Sequence, residues 1–127
     1  MREVDLSTAF LRYEEPVMYL ILKDDIRLTP ANIREIANAA SELSDGKPYL
    51  LFSDARVQMA ITAEGQNAAS DANILKLIGA NAILVSSWPR QMLVNMVAHF
   101  SNMPFPMKMF THPGEALNWL EIQRKLL

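Results

Sequence analysis

Five side chains able to act together occur in a fixed order along the 127-residue sequence: Asp24 and Asp25, then Asp54, then Ser86, then Lys108. Brought to one place, the carboxylates would hold Mg²⁺, Asp54 would accept a phosphoryl group, and Ser86 and Lys108 would hold its oxygens. Two local groups offer simpler chemistry. Ser53, Asp54 and Arg56 follow one apolar segment, and Ser86, Ser87 and Arg90 follow another. Hydroxyl and guanidinium groups suit an anion, and a helix starting beside Arg90 would add free N–H groups and its dipole. Ordinary capping and loop solvation account for the same residues. His99 and His112 stand 13 positions apart without a His-Glu-x-x-His pair, so neither a metal site nor a general base is assigned. There is no Gly-rich phosphate loop, no Gly-x-Ser-x-Gly elbow and no Walker sequence. With only four glycines in the chain, a dinucleotide-binding turn is excluded. No catalytic residue, metal or cofactor is expected.

The elements that must position these residues are legible in the hydropathy pattern. Residues 5–12 read as a strand with Leu6, Ala9 and Leu11 as its apolar members. Glu14-Glu15-Pro16 breaks it, and the continuous run Val17 to Leu22 suits a strand buried on both faces. The short break predicts an antiparallel hairpin. Lys23 to Leu28 is a polar turn. Thr29-Pro30 then starts a helix, with Ile33, Ile36, Ala37, Ala40 and Leu43 on one face and Asn32, Arg34, Glu35, Asn38 and Glu42 on the other. Asp45-Gly46 ends it. Tyr49 to Phe52 is a buried strand. Thr62 caps a helix running to about Ile78, which Gly79 stops. Ala82 to Val85 is a further buried strand. A third helix opens at Ser86-Ser87-Trp88-Pro89 and carries the stripe Met92, Leu93, Met96, Val97 and Phe100. Met107 to Phe110 is a last strand, and Thr111-His112-Pro113 begins a last helix with Ala116, Leu117 and Leu120 facing in.

This alternation predicts an α/β fold. It has a single mixed, largely parallel sheet of about five strands, an N-terminal antiparallel hairpin and four helices. The length fits one domain, residues 1–127, large enough to bury a core without staples. The 12 basic and 14 acidic residues give a net charge of -2, which argues against nucleic acid as a partner. Residues 1–64 carry 11 acids and 7 bases, a net of -4, and residues 65–127 carry 3 acids and 5 bases, a net of +2. The absence of cysteine removes disulfides, thiolate metal sites and thiol nucleophiles. The longest strictly apolar run has six residues, far from the roughly 20 that a membrane helix needs. The opening Met-Arg-Glu-Val-Asp-Leu lacks the pattern of a signal peptide, so a cytoplasmic protein is expected.

Several of these stretches together resemble the STAS, or SpoIIAA-like, class of small α/β domains, in particular its stand-alone bacterial members. The resembling residues are the N-terminal hairpin, Tyr-Leu-Leu-Phe-Ser-Asp at 49–54, Thr62-Ala63-Glu64, Ala-Ile-Leu-Val-Ser-Ser at 82–87, Arg90 and Asn95, Pro106 to Phe110, and Ala116-Leu117-Asn118-Trp119-Leu120. The resemblance implies a domain without intrinsic catalysis that acts as a regulatory protein-interaction module or binds a small or lipid-like ligand. Anti-anti-sigma members carry a phosphorylated Ser in an Asp-Ser-Ser-Gly context at the start of the second helix. This chain reads Met59-Ala60-Ile61-Thr62-Ala63 there, so Thr62 is the one candidate phosphosite and the sigma-factor role lacks its motif.

Two functions from different classes follow. The first is a non-catalytic regulatory or ligand-binding module that takes a partner protein or a small apolar or anionic ligand and forms a homodimer. Its ligand-binding residues would be Asp54, Arg56, Ser86, Ser87 and Arg90, because loops beyond the carboxyl ends of parallel strands are where such sheets bind. Its partner or pocket surface would include Trp88, Met92, Met96 and Phe105 as adaptable or aromatic anchors. The second is a phosphoacceptor of receiver type using Asp54 with Asp24, Asp25, Ser86 and Lys108. Against it, only one helix fits between Asp25 and Asp54, and Met follows Lys108 where receivers carry Pro. The first is the reading adopted.

Overall fold

The computed structural model describes residues 2–57, 59–87 and 103–126. The strands are β1 (Arg2–Asp5), β2 (Ala9–Glu14), β3 (Val17–Leu22), β4 (Ile26–Leu28), β5 (Tyr49–Asp54), β6 (Met59–Ile61), β7 (Ile78–Leu84) and β8 (Met107–Phe110). The helices are α1 (Pro30–Leu43), α2 (Ala63–Ala69), α3 (Ala72–Leu75) and α4 (Pro113–Leu126). Among the described residues the main sheet has six strands in the order β1-β2-β3-β5-β7-β8, and β4 pairs with β6 in a separate two-stranded sheet. Strand β2 runs antiparallel to its neighbours β1 and β3, and β3, β5, β7 and β8 are parallel. The fold is thus the mixed, largely parallel α/β sheet with antiparallel N-terminal strands that the sequence predicts.

Strand β5 explains the layering. It lies between β3 and β7, and its side chains alternate across the sheet as strand geometry requires. Leu50 and Phe52 join Ala80, Ala82, Leu84, Phe110, Ala116 and Leu120 in a core on the α4 side. Tyr49 and Leu51 join Leu11, Tyr13, Met18, Ala40 and Leu43 on the α1 side. A third cluster, Ala9, Leu22 and Leu28 with Ile26, Ile33, Ala55, Val57 and Ile61, closes the β4–β6 end. Leu11, Met18, Leu50, Leu84 and Leu120 are almost wholly buried, and each contributes about 1.5–3 kcal/mol relative to an exposed side chain.

Local chemistry sets the element ends. Thr29 caps α1 through a reciprocal box in which its hydroxyl accepts from the Asn32 N–H and the Asn32 side chain accepts from the Thr29 N–H. Asp45 and Gly46 leave α1 with φ of 54° and 74°, values that Asp and Gly tolerate. Arg2 donates to the Leu43 carbonyl at 2.8 Å and pairs with Asp45 at 3.0 Å, tying β1 to the end of α1.

Four expectations are corrected. The strand over 5–12 is two strands, β1 and β2, because Leu6–Thr8 turns the chain back, with the Leu6 N–H bonded to the Ala9 carbonyl. The polar turn over 23–28 contains β4, since Ile26 and Leu28 are drawn into the third apolar cluster. The helix from 62 to about 78 is two short helices, separated where Asp71 caps α3 by accepting from the Asn73 N–H. Gly79 does not stop a helix; it is the extra residue of a bulge in β7. Tyr49 pairs with Ile78, whereas Leu50 pairs with Ala80. The bulge lets Ile78 contact the α1-side cluster while Ala80 belongs to the α4-side core.

Gly65 lies in the first turn of α2, where that turn meets β4. A Cβ on it would sit 2.5 Å from the Leu28 carbonyl oxygen and 3.1 Å from Ile61 Cγ1. At Gly114, in the first turn of α4, a Cβ would meet nothing within 4 Å. Alanine therefore has opposite effects at the two sites. In urea denaturation, Gly65→Ala should lose about 1–3 kcal/mol through overpacking, whereas Gly114→Ala should be neutral or gain up to about 1 kcal/mol from helix propensity.

Candidate functional site

The parallel strands end on one edge. Past β3 come Lys23, Asp24 and Asp25; at the end of β5 lie Asp54, Ala55 and Arg56; past β7 come Val85, Ser86 and Ser87; past β8 come Thr111 and His112. The Ala55 N–H bonds to the Leu84 carbonyl and the Val85 N–H to the Phe110 carbonyl, both at 2.8 Å, so these ends are held in line.

The best-defined polar feature here is the Asp54–Arg56 pair. Arg56 Nε donates to Asp54 Oδ1 at 3.0 Å, Arg56 Nη2 donates to Oδ2 at 2.9 Å, and the Arg56 backbone N–H adds a bond at 3.2 Å. This is a bidentate, charge-assisted fork. The Asp54 side chain is 16% exposed and that of Arg56 is 44% exposed. The Arg56 hydrogen bonds hold the Asp54 carboxyl below its ordinary range, against the opposing effect of burial. Ser86 and Ser87 are exposed beside this edge.

Other predicted residues have different surroundings. Ser53 lies inside β5, buried, and donates to Asn81 Oδ1 at 2.9 Å. Thr62 is the N-cap of α2: its hydroxyl accepts from the Gly65 N–H at 2.8 Å and donates to the Leu28 carbonyl at 3.3 Å. Lys108 sits on β8 with its ammonium 5.5 Å from the Phe110 ring centre. Lys23 is held by the β1–β2 turn, at 2.6 Å from both the Leu6 carbonyl and Asp5. Phe105, expected as an exposed anchor, is buried at 8% exposure and belongs to the core. Trp88, Arg90, Met92, Met96 and His99 lie outside the described residues. Among the described residues no group of three or more His, Asp or Glu side chains is placed to hold a metal ion. No described helix is long and apolar enough to cross a membrane.

A feature absent from the sequence reading lies near the opposite edge. A cavity of about 420 Å³ opens between α1 and the α2–α3 segment, lined by Arg34, Ala37, Asn38 and Ser41 of α1, Tyr49 of β5, and Ala68, Asp71, Asn73, Ile74, Lys76 and Leu77. The spacing of Arg34, Asn38 and Ser41 puts them on one helix face, the sole signal the sequence offers.

With this geometry in view, the relatives are informative about fold. A family model described as Domain of unknown function (DUF7793) matches residues 11–123. The chain belongs to the DUF7793 family. No curated protein matches it. Among solved structures, it is similar to the crystal structure of an uncharacterized DUF3478-family protein with a SpoIIAA-like fold from Shewanella loihica PV-4. That match has a TM-score of 0.62 and 17% identity, over 88% of this chain and 91% of the other. The DUF7793 chain therefore has a SpoIIAA-like fold, as its sequence resemblance implies.

The Asp54–Arg56 fork makes a pH-dependent contribution of known sign. Asp54 titrates lower in the folded chain than in the unfolded one, so its contribution is full above the unfolded value of about 3.9 and fades as pH falls through the folded value. Asp54→Asn should cost no more than about 1 kcal/mol at pH 7, because Arg56 is well exposed. Urea titrations of the wild type and the variant should converge as the pH drops below about 4.

Proposed function

We propose that this chain is a non-catalytic regulatory or ligand-binding module whose recognition edge is formed by the carboxyl ends of β3, β5 and β7. The observation that carries this reading is the fork at the end of the central strand. Both oxygens of Asp54 are engaged by Arg56. Such a carboxylate is a poor phosphoacceptor, since its lone pairs already hold N–H donors. The same pairing fixes the direction of Arg56, and a preorganised guanidinium loses less side-chain freedom when it meets an acceptor. The fitting target is a carboxylate or phosphate group on a partner protein or small ligand. The exposed hydroxyls of Ser86 and Ser87 are further donors for it. Arg90, beyond the described residues, belongs to the same proposal. The SpoIIAA-like fold supports a module of this kind. Cytoplasmic residence and pairing into a homodimer are part of the same reading. The engaged Thr62 hydroxyl supports a capping role for that residue.

Inorganic phosphate and succinate, titrated into ¹⁵N-labelled protein, should shift resonances of residues 54–56 and 86–87. Arg56→Ala should weaken that binding by about tenfold, as expected for a hydrogen bond to a charged group. Labelled acetyl phosphate with Mg²⁺ should leave Asp54 unmodified. Unmoved resonances at this edge, binding untouched by Arg56→Ala, or stoichiometric label on Asp54 would each overturn the proposal.

A further inference from the structure

The cavity between α1 and α2–α3 gathers polar side chains that are not paired with one another. Arg34, Asn38, Ser41, Tyr49, Asn73 and Lys76 all line it, and none of their side chains hydrogen-bonds or ion-pairs with another described residue. Asp71 is engaged, capping α3 through the Asn73 N–H at 2.8 Å.

Tyr49 is the most telling member. It is only 5% exposed, yet its hydroxyl has no hydrogen-bond partner among the described residues. Among the described residues the fully enclosed side-chain polar atoms without a hydrogen bond are Thr8 Oγ1 and Arg12 Nε, the latter ion-paired with Glu14 at 3.6 Å. The Tyr49 hydroxyl is not one of them, so it keeps contact with open space, and the space against Tyr49 is this cavity. An O–H facing open space is a donor available to whatever occupies that space. Burial also pushes the phenol up to about 12, so at neutral pH it is an uncharged donor.

We propose that this cavity binds a small hydroxylated organic anion, with Arg34 and Lys76 taking its phosphate or carboxylate and the Tyr49 hydroxyl donating from the floor. Two cations against one carboxylate leave the lining net positive. Asn38 and Asn73 can both donate and accept, and the remaining acceptor capacity of Asp71 suits ligand hydroxyls. Ala37, Ala68, Ile74 and Leu77 supply apolar walls for a carbon skeleton. The volume lies within the range of roughly 300–1,000 Å³ usual for small-molecule sites. Tyr49 and Leu77 place the site near the amino ends of β5 and β7, away from the Arg56 edge, and the inference does not rest on that edge.

The probes are inorganic phosphate, glucose 6-phosphate and gluconate, each titrated to about 10 mM into ¹⁵N-labelled protein, a range that reads weak millimolar binding. Glucose 6-phosphate or gluconate should shift resonances at 34–41 and 71–77. The double variant Arg34→Glu, Lys76→Glu, altered only at exposed positions, should weaken binding more than about tenfold. Tyr49→Phe, which keeps the ring, should weaken it about two- to tenfold. Arg56→Ala should leave it unchanged. Binding of glucose 6-phosphate and phosphate without gluconate assigns the phosphate as the recognised group, and binding of gluconate alone assigns the carboxylate. Silence at these resonances with all three probes, or binding that survives charge reversal, overturns the proposal.

Discussion

The need to bury both faces of β5 governs this molecule. Six residues, Tyr49–Asp54, bond to β3 on one side and to β7 on the other, while α1 and α4 cover them above and below. Such a strand tolerates polarity only where it emerges or where a neighbouring strand supplies a partner, as Asn81 does for Ser53, so its middle is Leu50, Leu51 and Phe52. At one end Asp54 reaches the surface and is met by Arg56. At the other, Tyr49 brings a phenol to the floor of a cavity. Both candidate sites thus follow from a single strand, which hydrogen-bonds to a neighbour on each side.

Much of this order is readable without coordinates, and the reasons are local. Thr29-Pro30 announces α1 because a capping hydroxyl and a preset φ are properties of those two residues alone. Tyr49–Phe52 announces a buried strand because so continuous an apolar run suits a sheet covered on both faces, whereas Val17–Leu22 reads as equally buried and is not: Met18 and Leu22 are buried, but Ile21 is exposed. Gly79 misleads for the complementary reason: a glycine ends a helix and admits a bulge equally well, and only its pairing with β5 decides between them. Asp71 looks like an interior helix residue until its side chain is seen to restart the turn. Ser7 and Thr8 lack the Gly or Pro that would have marked the turn between β1 and β2.

The candidate sites divide in the same way. The Asp54–Arg56 fork joins neighbours in sequence at a strand end, and sequence alone brings those two residues forward. The cavity was hidden because the polar face of α1 reads as solvated. Arg34 and Asn38 do sit on that face, but α2–α3 arrives opposite them, and no periodicity within α1 says what will approach from a distant segment. Phe105 illustrates the reverse failure: an aromatic in a proline-flanked loop looks exposed, yet tertiary contacts enclose it.

The short outer strand β1 has a consequence for how these molecules meet one another. Three of its four residues, Arg2, Glu3 and Asp5, are charged and exposed, and Arg2 is anchored to the end of α1. A second chain adding itself by main-chain pairing on that side would have to bring its backbone against a row of ionised groups. Fibril-like growth and strand exchange are therefore discouraged along that border, a protection written into four residues at the start of the chain.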